Sequence, residues 1–268
     1  MMLFCVLCRA PADAHELVVL DYGGREMMVY VPSELPPSGS RALVVVLHGG
    51  LGNAKRIATR QSESGLNMDA VAEKNGFLVA YLNGTPVTRN LGNRFLGWNA
   101  GGGCCGQSAA NQVDDVAYIG GAVDDLAKHY GIDRARVFGT GHSNGAMMTQ
   151  RLVCETKLYA AAVVISGPLN LKASPCTAAS GRRILALHGA DDQNVLVAGG
   201  VGPKGLSGLA FRSEDYSQQV FTRSGATYTL QVVLGTGHAL ANLDAMISKT
   251  EGLTIAEKSA RFFNLVKP

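Results

Sequence analysis

The fold is decided by the stretch Arg136-Val137-Phe138-Gly139-Thr140-Gly141-His142-Ser143-Asn144-Gly145, in which a strand-like run leads directly into a G-x-S-x-G motif. In this motif a sharp turn between a strand and a helix projects the serine hydroxyl above a sheet. Glycines are needed on both sides because side chains there would collide with the neighbouring strand and helix. A helix follows to about residue 156, so the stretch predicts a nucleophile elbow with Ser143 as nucleophile. A helix N-cap in a glycine-rich turn is the alternative interpretation.

Strand-like and helix-like segments alternate on both sides of the motif. Continuous apolar runs indicate buried strands at residues 42–47 and 77–82, and further strand signals lie at residues 160–165, 184–187 and 227–234. Ahead of them, two extended runs flank Gly23-Gly24 as in a hairpin. The order predicts an α/β fold: a mainly parallel central sheet with an antiparallel N-terminal edge and helices on both faces. Since no repeat or linker marks a boundary, residues 15–268 are expected to form a single catalytic domain.

Two segments interrupt the alternation. Residues 83–108 are rich in Gly, Asn and Cys and predict a long loop, and Asn111 is the predicted N-cap of the helix that follows it. The insertion at residues 199–217 is glycine-rich at first. It is expected to form a mobile rim or small lid over the serine.

A serine hydroxyl is a weak nucleophile until a histidine removes its proton and a carboxylate orients that histidine. Asp191 and Asp192 follow the strand at residues 184–187, and His238 follows the last predicted strand. This is the chain order that nucleophile-elbow proteins use. His238 is therefore the predicted base, while either aspartate could orient it. His48 and His188 end strands and precede glycine, where a structural hydrogen bond is the more ordinary role.

A tetrahedral oxyanion must be met by preorganised hydrogen-bond donors. The backbone N–H of Asn144, directly after the nucleophile, is the first predicted donor. The second is Gly50 or Leu51, in the glycine-rich loop that follows the strand at residues 42–47. An ordinary strand-ending turn is the alternative interpretation of that loop.

Composition argues against several functional classes. Only 17% of the 268 residues are charged, the net charge is +3, and the Lys and Arg residues form no run. No nucleic-acid surface is therefore indicated.

The apolar segment at residues 2–8 is far shorter than the roughly 20 residues of a membrane span, so no membrane partner is expected. No metal or organic cofactor is expected either, because no second Cys or His pair stands at zinc-ligand spacing. We expect a monomer.

Residues 1–14 read as the remnant of a truncated signal peptide. Ala12-Asp13-Ala14 has the small-x-small pattern of a signal-peptidase site, but the basic n-region is missing. Either the native start lies further upstream or the segment is a frayed terminus. The first interpretation predicts a secreted or periplasmic protein. In that oxidising environment four cysteines could pair in three complete ways: Cys104, Cys105, Cys154 and Cys176.

Taken together, these motifs resemble a bacterial esterase family of the α/β-hydrolase superfamily that groups secreted feruloyl esterases with polyhydroxybutyrate depolymerase-like proteins. Five segments carry the resemblance in order and spacing, at residues 44–50, 97–106, 113–116, 141–148 and 188–192. The match extends from residue 43 to residue 238. It implies the α/β-hydrolase fold, and it favours Asp192 over Asp191 because the family's aspartate lies four residues after the strand-ending histidine.

The resemblance also implies that residues 98–106 border the active site and that their cysteines join disulfides, with Cys154 and Cys176 taking part. Free thiols, or one disulfide only, are the alternative for the adjacent pair Cys104-Cys105. Trp98 and His142 are the predicted substrate-binding side chains.

The expected function is that of a serine esterase acting through an acyl-enzyme on small or polymeric esters, with hydroxycinnamate (feruloyl) or short acyl groups. Polyester hydrolysis is one alternative, and a non-catalytic secreted binding protein is another. The chain departs from the family pattern at Ala239-Leu240, where relatives have Trp-Pro, and at Leu196-Val197, where they have Pro-Tyr. These positions shape the acyl or alcohol pocket, so the resemblance implies the triad and not a particular acyl group.

Overall fold

The computed structural model describes residues 15–88, 94–171 and 176–266. The proposed signal-peptide remnant at residues 1–14 lies outside these ranges. Eight strands form the central sheet: β1 Glu16–Tyr22, β2 Arg25–Val31, β3 Arg41–Leu47, β4 Leu78–Leu82, β7 Ile132–His142, β8 Ala161–Ile165, β9 Arg183–Gly189 and β10 Thr227–Val233. A separate two-stranded hairpin pairs β5 Thr85–Pro86 with β6 Leu96–Gly97.

The strands of the central sheet lie in the order β1-β2-β4-β3-β7-β8-β9-β10. β1 pairs with β2, and β2 with β4, in antiparallel fashion. Every later neighbour pair is parallel. The predicted mainly parallel sheet with an antiparallel N-terminal edge is therefore confirmed. Because parallel strands end at the same edge, the segments after β3, β7, β9 and β10 meet there.

Helices cover both faces of the sheet, as predicted. They are α1 Ala54–Ala58, α2 Asp69–Asn75, α3 Gly106–Ala110, α4 Asp115–Tyr130, α5 Asn144–Glu155, α6 Glu214–Arg223, α7 Leu240–Glu251 and α8 Ile255–Phe262. Two short 3₁₀ helices occupy Ser64–Leu66 and Thr177–Ala179.

Two apolar layers hold the helices to the sheet. Along β3, Leu43, Val45 and Leu47 belong to the layer beneath α4, α5 and α6. Val44 and Val46 belong to the opposite layer, with α1, α2, α7 and α8. All five side chains are fully buried. This explains why the strand has no polar face in the sequence.

The structure corrects the expectations for residues 83–108 and for Asn111. The segment contains the β5–β6 hairpin and α3, so its described part is not a loop throughout. Asn111 ends α3, and Asp114 caps α4 by accepting a hydrogen bond from the N–H of Ala117. Asp114 suits this position because an aspartate at the N-cap both accepts this bond and complements the positive end of the helix.

Two pairs of cysteines are bonded. Cys154, in the last turn of α5, is joined to Cys176 beside the second 3₁₀ helix, 22 residues further along the chain. Cys104 is bonded to its neighbour Cys105. Of the three pairings open from the sequence, the structure has this one.

The Cys154–Cys176 bond is expected to stabilise the fold. Replacing both residues by Ala removes a cross-link that closes a loop of this length, and about 3 kcal/mol of unfolding free energy should be lost with it. Equilibrium denaturation in guanidinium chloride, without reductant, measures the difference. An unchanged denaturation midpoint in the double variant would contradict a stabilising role for this bond.

Candidate active site

Ser143 lies in the sharp turn between β7 and α5, with φ 53° and ψ −119°. A positive φ is rare for a residue with a side chain, and the surrounding packing must hold it in place. That packing depends on glycine. A Cβ on Gly141 would lie 2.6 Å from the carbonyl carbon of Gly145, and a Cβ on Gly145 would lie 2.2 Å from the carbonyl oxygen of Leu47. The local geometry is that of a nucleophile elbow.

The structure brings Ser143, His238 and Asp192 together from the ends of three strands. Ser143 Oγ lies 2.9 Å from His238 Nε2, and His238 Nδ1 lies 2.7 Å from Asp192 Oδ2. The other carboxylate oxygen of Asp192 accepts the N–H groups of Asn194 and Val195 at 2.8 and 2.9 Å. Asp191 is exposed and is not in contact with His238. Of the two aspartates, it is Asp192 that the fold directs at the histidine.

Burial and hydrogen bonding determine the protonation states of Asp192 and His238. Burial alone would raise the pKa of Asp192, but hydrogen bonds from His188 and His238 outweigh it and hold that pKa well below its ordinary value. Burial lowers the pKa of His238, and the nearby His142 adds to this effect, while the hydrogen bond to Asp192 opposes it. At neutral pH Asp192 is therefore ionised, and His238 is a neutral imidazole able to accept a proton from Ser143.

Three residues were predicted as oxyanion-hole donors, and all three line the cavity above Ser143: Gly50, Leu51 and Asn144. The N–H of Leu51 is already engaged, since it donates to the carbonyl oxygen of Leu96 at 2.8 Å. Among the residues that the structure describes, the N–H groups of Gly50 and Asn144 have no acceptor. These two are the backbone donors left available to a ligand.

The chain is similar to known proteins both in amino-acid sequence and in three-dimensional structure. In sequence it is 33% identical over 147 residues to a protein named probable acetylxylan esterase A from Aspergillus fumigatus, a match that covers 54% of the chain and 35% of that protein. It is 31% identical over 174 residues to feruloyl esterase B from Thermothelomyces thermophilus, covering 61% of the chain and 53% of that protein. In structure it is similar to a carboxylesterase from Bacillus cereus, with a TM-score of 0.60, 15% identity and 90% and 94% of the two chains covered.

The strand order and these similarities agree. The chain has the α/β-hydrolase fold. The predicted fold and the predicted resemblance to esterases are thereby confirmed. No family model matches the chain. The chain spans about a third to a half of the length of the two curated relatives that it matches.

The protein has a cavity of about 440 Å³ over Ser143. Part of the 199–217 insertion contributes to its wall, as expected, through Gly205, Leu206, Ser207 and Phe211. The side chain of Leu206 is 85% exposed at this rim. Apolar side chains from several segments form much of the wall: Leu51, Val87, Met147, Val195, Leu206 and Phe211.

Trp98 does not line this cavity, which corrects its assignment to substrate binding. Its side chain is fully buried and donates its indole N–H to the carbonyl oxygen of His48. The Trp98 backbone is bound by the Asn144 side chain, whose Oδ1 accepts the N–H and whose Nδ2 donates to the C=O. Trp98 therefore holds the loop after β3 in place from inside the protein core. The bulk that suggested a substrate contact serves packing here.

His142 lines the cavity, but both of its ring nitrogens are occupied by other residues. Nδ1 lies 2.8 Å from Glu63 Oε1, and Nε2 lies 2.9 Å from the carbonyl oxygen of His238. Glu63 also accepts the N–H of Gly49 at 3.0 Å. Burial acts to raise the pKa of Glu63, but His142 outweighs it and lowers that pKa. Glu63 was missed from the sequence, since nothing local marks a partner 79 residues away.

His188 likewise has a buried carboxylate partner that sequence analysis missed. Its Nδ1 lies 2.7 Å from Glu214 Oε1, and its Nε2 lies 3.2 Å from Asp192 Oδ2. Burial alone would lower the pKa of His188, but hydrogen bonds to Asp192 and Glu214 raise it to about 9.

Neither a metal site nor a membrane-spanning helix is found in the described ranges. No group of three or more His, Cys, Asp or Glu side chains in residues 15–88, 94–171 and 176–266 is arranged to hold a metal ion. None of the helices in those ranges is long and apolar enough to cross a bilayer.

The raised pKa of His188 predicts a pH-dependent stability. A histidine that binds its proton more tightly when folded stabilises the fold fully below its ordinary pKa of 6.5, and this contribution is lost as the pH rises to about 9. We expect the free energy of unfolding to fall by about 3 kcal/mol over this interval. Denaturation curves at closely spaced pH values measure it. A constant free energy between pH 6.5 and 9 would contradict a protonated His188.

Proposed function

We propose that the protein is a serine esterase that hydrolyses carboxylic esters through an acyl-enzyme. The observation that carries the proposal is the 2.9 Å contact between Ser143 Oγ and His238 Nε2 at a cavity that also holds two free backbone N–H groups. A nucleophile, a base and oxyanion donors on one side of a cavity are the parts that acyl transfer requires. The similarity to proteins named as esterases supports the same reaction.

In the proposed reaction Ser143 Oγ attacks the ester carbonyl carbon while its proton passes to His238 Nε2. Asp192 holds the imidazole through Nδ1 and stabilises the imidazolium that forms. The N–H groups of Gly50 and Asn144 donate to the oxyanion. His238 then returns the proton to the departing alcohol. Water attacks the acyl-enzyme with His238 again as base, which releases the acid and restores Ser143.

The substrates we propose are esters with a short acyl or a hydroxycinnamoyl group. An apolar wall of residues such as Met147 and Phe211 fits an acyl chain or an aromatic ring, and a cavity of about 440 Å³ has room for either. The names of two relatives include acetylxylan and feruloyl esterase, which supports esters of plant polysaccharides.

Polyesters are a second candidate class, favoured by the exposed rim. Leu206 and Leu51 line the cavity and are 85% and 39% exposed, so they offer apolar surface to a chain too long to enter. We also propose a secreted or periplasmic location, supported by the bond between Cys154 and Cys176, since disulfides persist in oxidising compartments.

Replacing Ser143 by Ala should abolish ester hydrolysis. We expect kcat to fall by roughly 10⁴-fold or more, because loss of the nucleophile removes the acyl-enzyme route. The measurement is turnover of p-nitrophenyl acetate, butyrate and octanoate, methyl ferulate and a soluble polyester, together with labelling by a fluorophosphonate. Ser248→Ala, on α7 and outside the cavity, is the matched control and should keep both turnover and labelling.

The outcomes separate the candidate functions. Preference for methyl ferulate or for acetate supports a polysaccharide ester, and preference for the soluble polyester supports the second class. Folded wild-type protein without turnover or labelling would show a binding protein and end the esterase proposal.

The lowered pKa of His238 predicts activity at mildly acidic pH. His238 must be neutral to accept the proton of Ser143, and a lowered pKa keeps it neutral to a lower pH. The acid limb of kcat/KM should therefore have its midpoint below 6.5, the ordinary value for histidine. Measurement of kcat/KM for p-nitrophenyl acetate between pH 4 and 9 tests this. A midpoint above 6.5 would contradict the expected effect of burial on His238.

A further inference from the structure

Asp192 is shared by two histidines, only one of which the proposed reaction uses. Its Oδ2 lies 2.7 Å from His238 Nδ1 and 3.2 Å from His188 Nε2. His188 ends β9, four residues before Asp192, and its ring is completely buried. With the two backbone N–H groups on Oδ1, the carboxylate of Asp192 has four donors. It is held in one orientation.

With Glu214 ionised, the hydrogen bonds of His188 require both of its nitrogens to carry a proton. Nδ1 faces only the Glu214 carboxylate, and Nε2 faces Asp192 Oδ2 and the carbonyl oxygen of Val195 at 2.8 Å. An ionised carboxylate and a carbonyl only accept hydrogen bonds. A neutral imidazole would leave one ring nitrogen and one oxygen facing each other as acceptors. His188 is therefore an imidazolium. Its pKa, raised to about 9 against the effect of burial, agrees with this assignment.

Glu214 supplies the counter-charge for this buried cation. It is the first residue of α6, its side chain is buried, and its second oxygen accepts the Tyr228 hydroxyl at 2.6 Å. A buried carboxylate is costly unless it is paired and hydrogen-bonded. Here one oxygen faces His188 and the other faces Tyr228, so His188 and Glu214 form a neutral pair behind Asp192.

We propose that His188, held as a cation by Glu214, is a positioning residue for the catalytic base: it fixes Asp192 and weakens the pull of Asp192 on the proton of His238. This inference rests on the proposed esterase function. His188 does not line the cavity, so it acts on His238 from behind Asp192, through its hydrogen bond to that carboxylate and through its charge. A cation beside the carboxylate offsets part of its charge, and His238 then remains a neutral base at lower pH than Asp192 alone would allow.

The charges that face His238 come from several elements of the structure. Asp192 favours the protonated form of His238, whereas His188 and His142 disfavour it. His142 is paired with Glu63 on the other side of the ring. Because Glu214 lies beyond His188, the cation is the nearer member of its pair, and its removal should dominate.

The test is the double variant His188→Gln/Glu214→Gln, which removes the cation and its counter-charge together. The amide at position 188 can donate to Asp192 and accept from the amide at position 214, which in turn can accept from Tyr228, so each buried polar group keeps a partner. We expect the acid limb of kcat/KM to move up by about one pH unit. Tyr228→Phe removes a hydrogen bond from Glu214 but no charge, and should leave the position of the limb unchanged.

A purely structural role for His188 would give a different result. The double variant would then lose thermal stability and kcat, with the acid limb where it is in the wild type, and that outcome would overturn the proposal. Wild-type turnover measured in the same assay keeps this result separate from a failure of the esterase function itself.

A second measurement needs no variant. In the wild type at pH 7, ¹⁵N NMR of the imidazole rings should show both nitrogens of His188 protonated, while His238 carries one proton. A neutral His188 at pH 7 would overturn the proposal even if the double variant failed to fold.

Discussion

The close contact between the start of α5 and the end of β3 determines the geometry of the site. Gly145 sits so near the carbonyl oxygens of Leu47 and His48 that any Cβ would lie within 2.5 Å of both. This approach places the loop after β3 beside the first turn of α5, and a Cβ on Gly50 would lie 3.7 Å from the Cβ of Asn144. Gly50 and Asn144 thus lie close together in the wall of the cavity that Ser143 also lines, because two backbones touch where no side chain intervenes. A larger residue at position 145 would separate the donors as well as strain the turn.

Buried histidine–carboxylate contacts then fix the loops that this packing brings together. Glu63 accepts the N–H of Gly49 in the loop after β3 and faces His142, which reaches the carbonyl oxygen of His238. The loop proposed to supply an oxyanion donor and the loop proposed to supply the base are therefore joined through one side-chain pair. Each pair is costly to bury unless its hydrogen bonds are complete. These polar groups consequently specify one arrangement of the loops, where an apolar contact would permit several.

The parts of the site that could be predicted are those that short, local sequence patterns encode. The elbow motif, the order Ser143, Asp192, His238 and the position of each after a strand follow from short patterns and from the rule that parallel strands end at one edge. Glu63 and Glu214 could not be found in this way, because they meet His142 and His188 across 79 and 26 residues. Trp98 was misassigned for a related reason. A large aromatic residue in a glycine-rich loop has the same sequence signature whether it faces a substrate or packs under the loop, and only the tertiary contact with His48 decides.

The groups proposed for the chemistry and those proposed for selectivity occupy different kinds of structure in this protein. His188 lies near the end of β9, Asp192 lies three residues after that strand, and Glu214 begins α6, so these groups are held at the ends of regular elements. The rim contributed by residues 205–211 belongs instead to the segment between β9 and α6. Within that segment, an isolated antiparallel bridge pairs Gly200 with Phe211. Substitutions at Leu206 can change what reaches Ser143 without touching the hydrogen bonds of Asp192. The residues that depart from the family pattern, Leu196-Val197 and Ala239-Leu240, follow Asp192 and His238 in the chain, and the contacts among Ser143, His238 and Asp192 are present beside them.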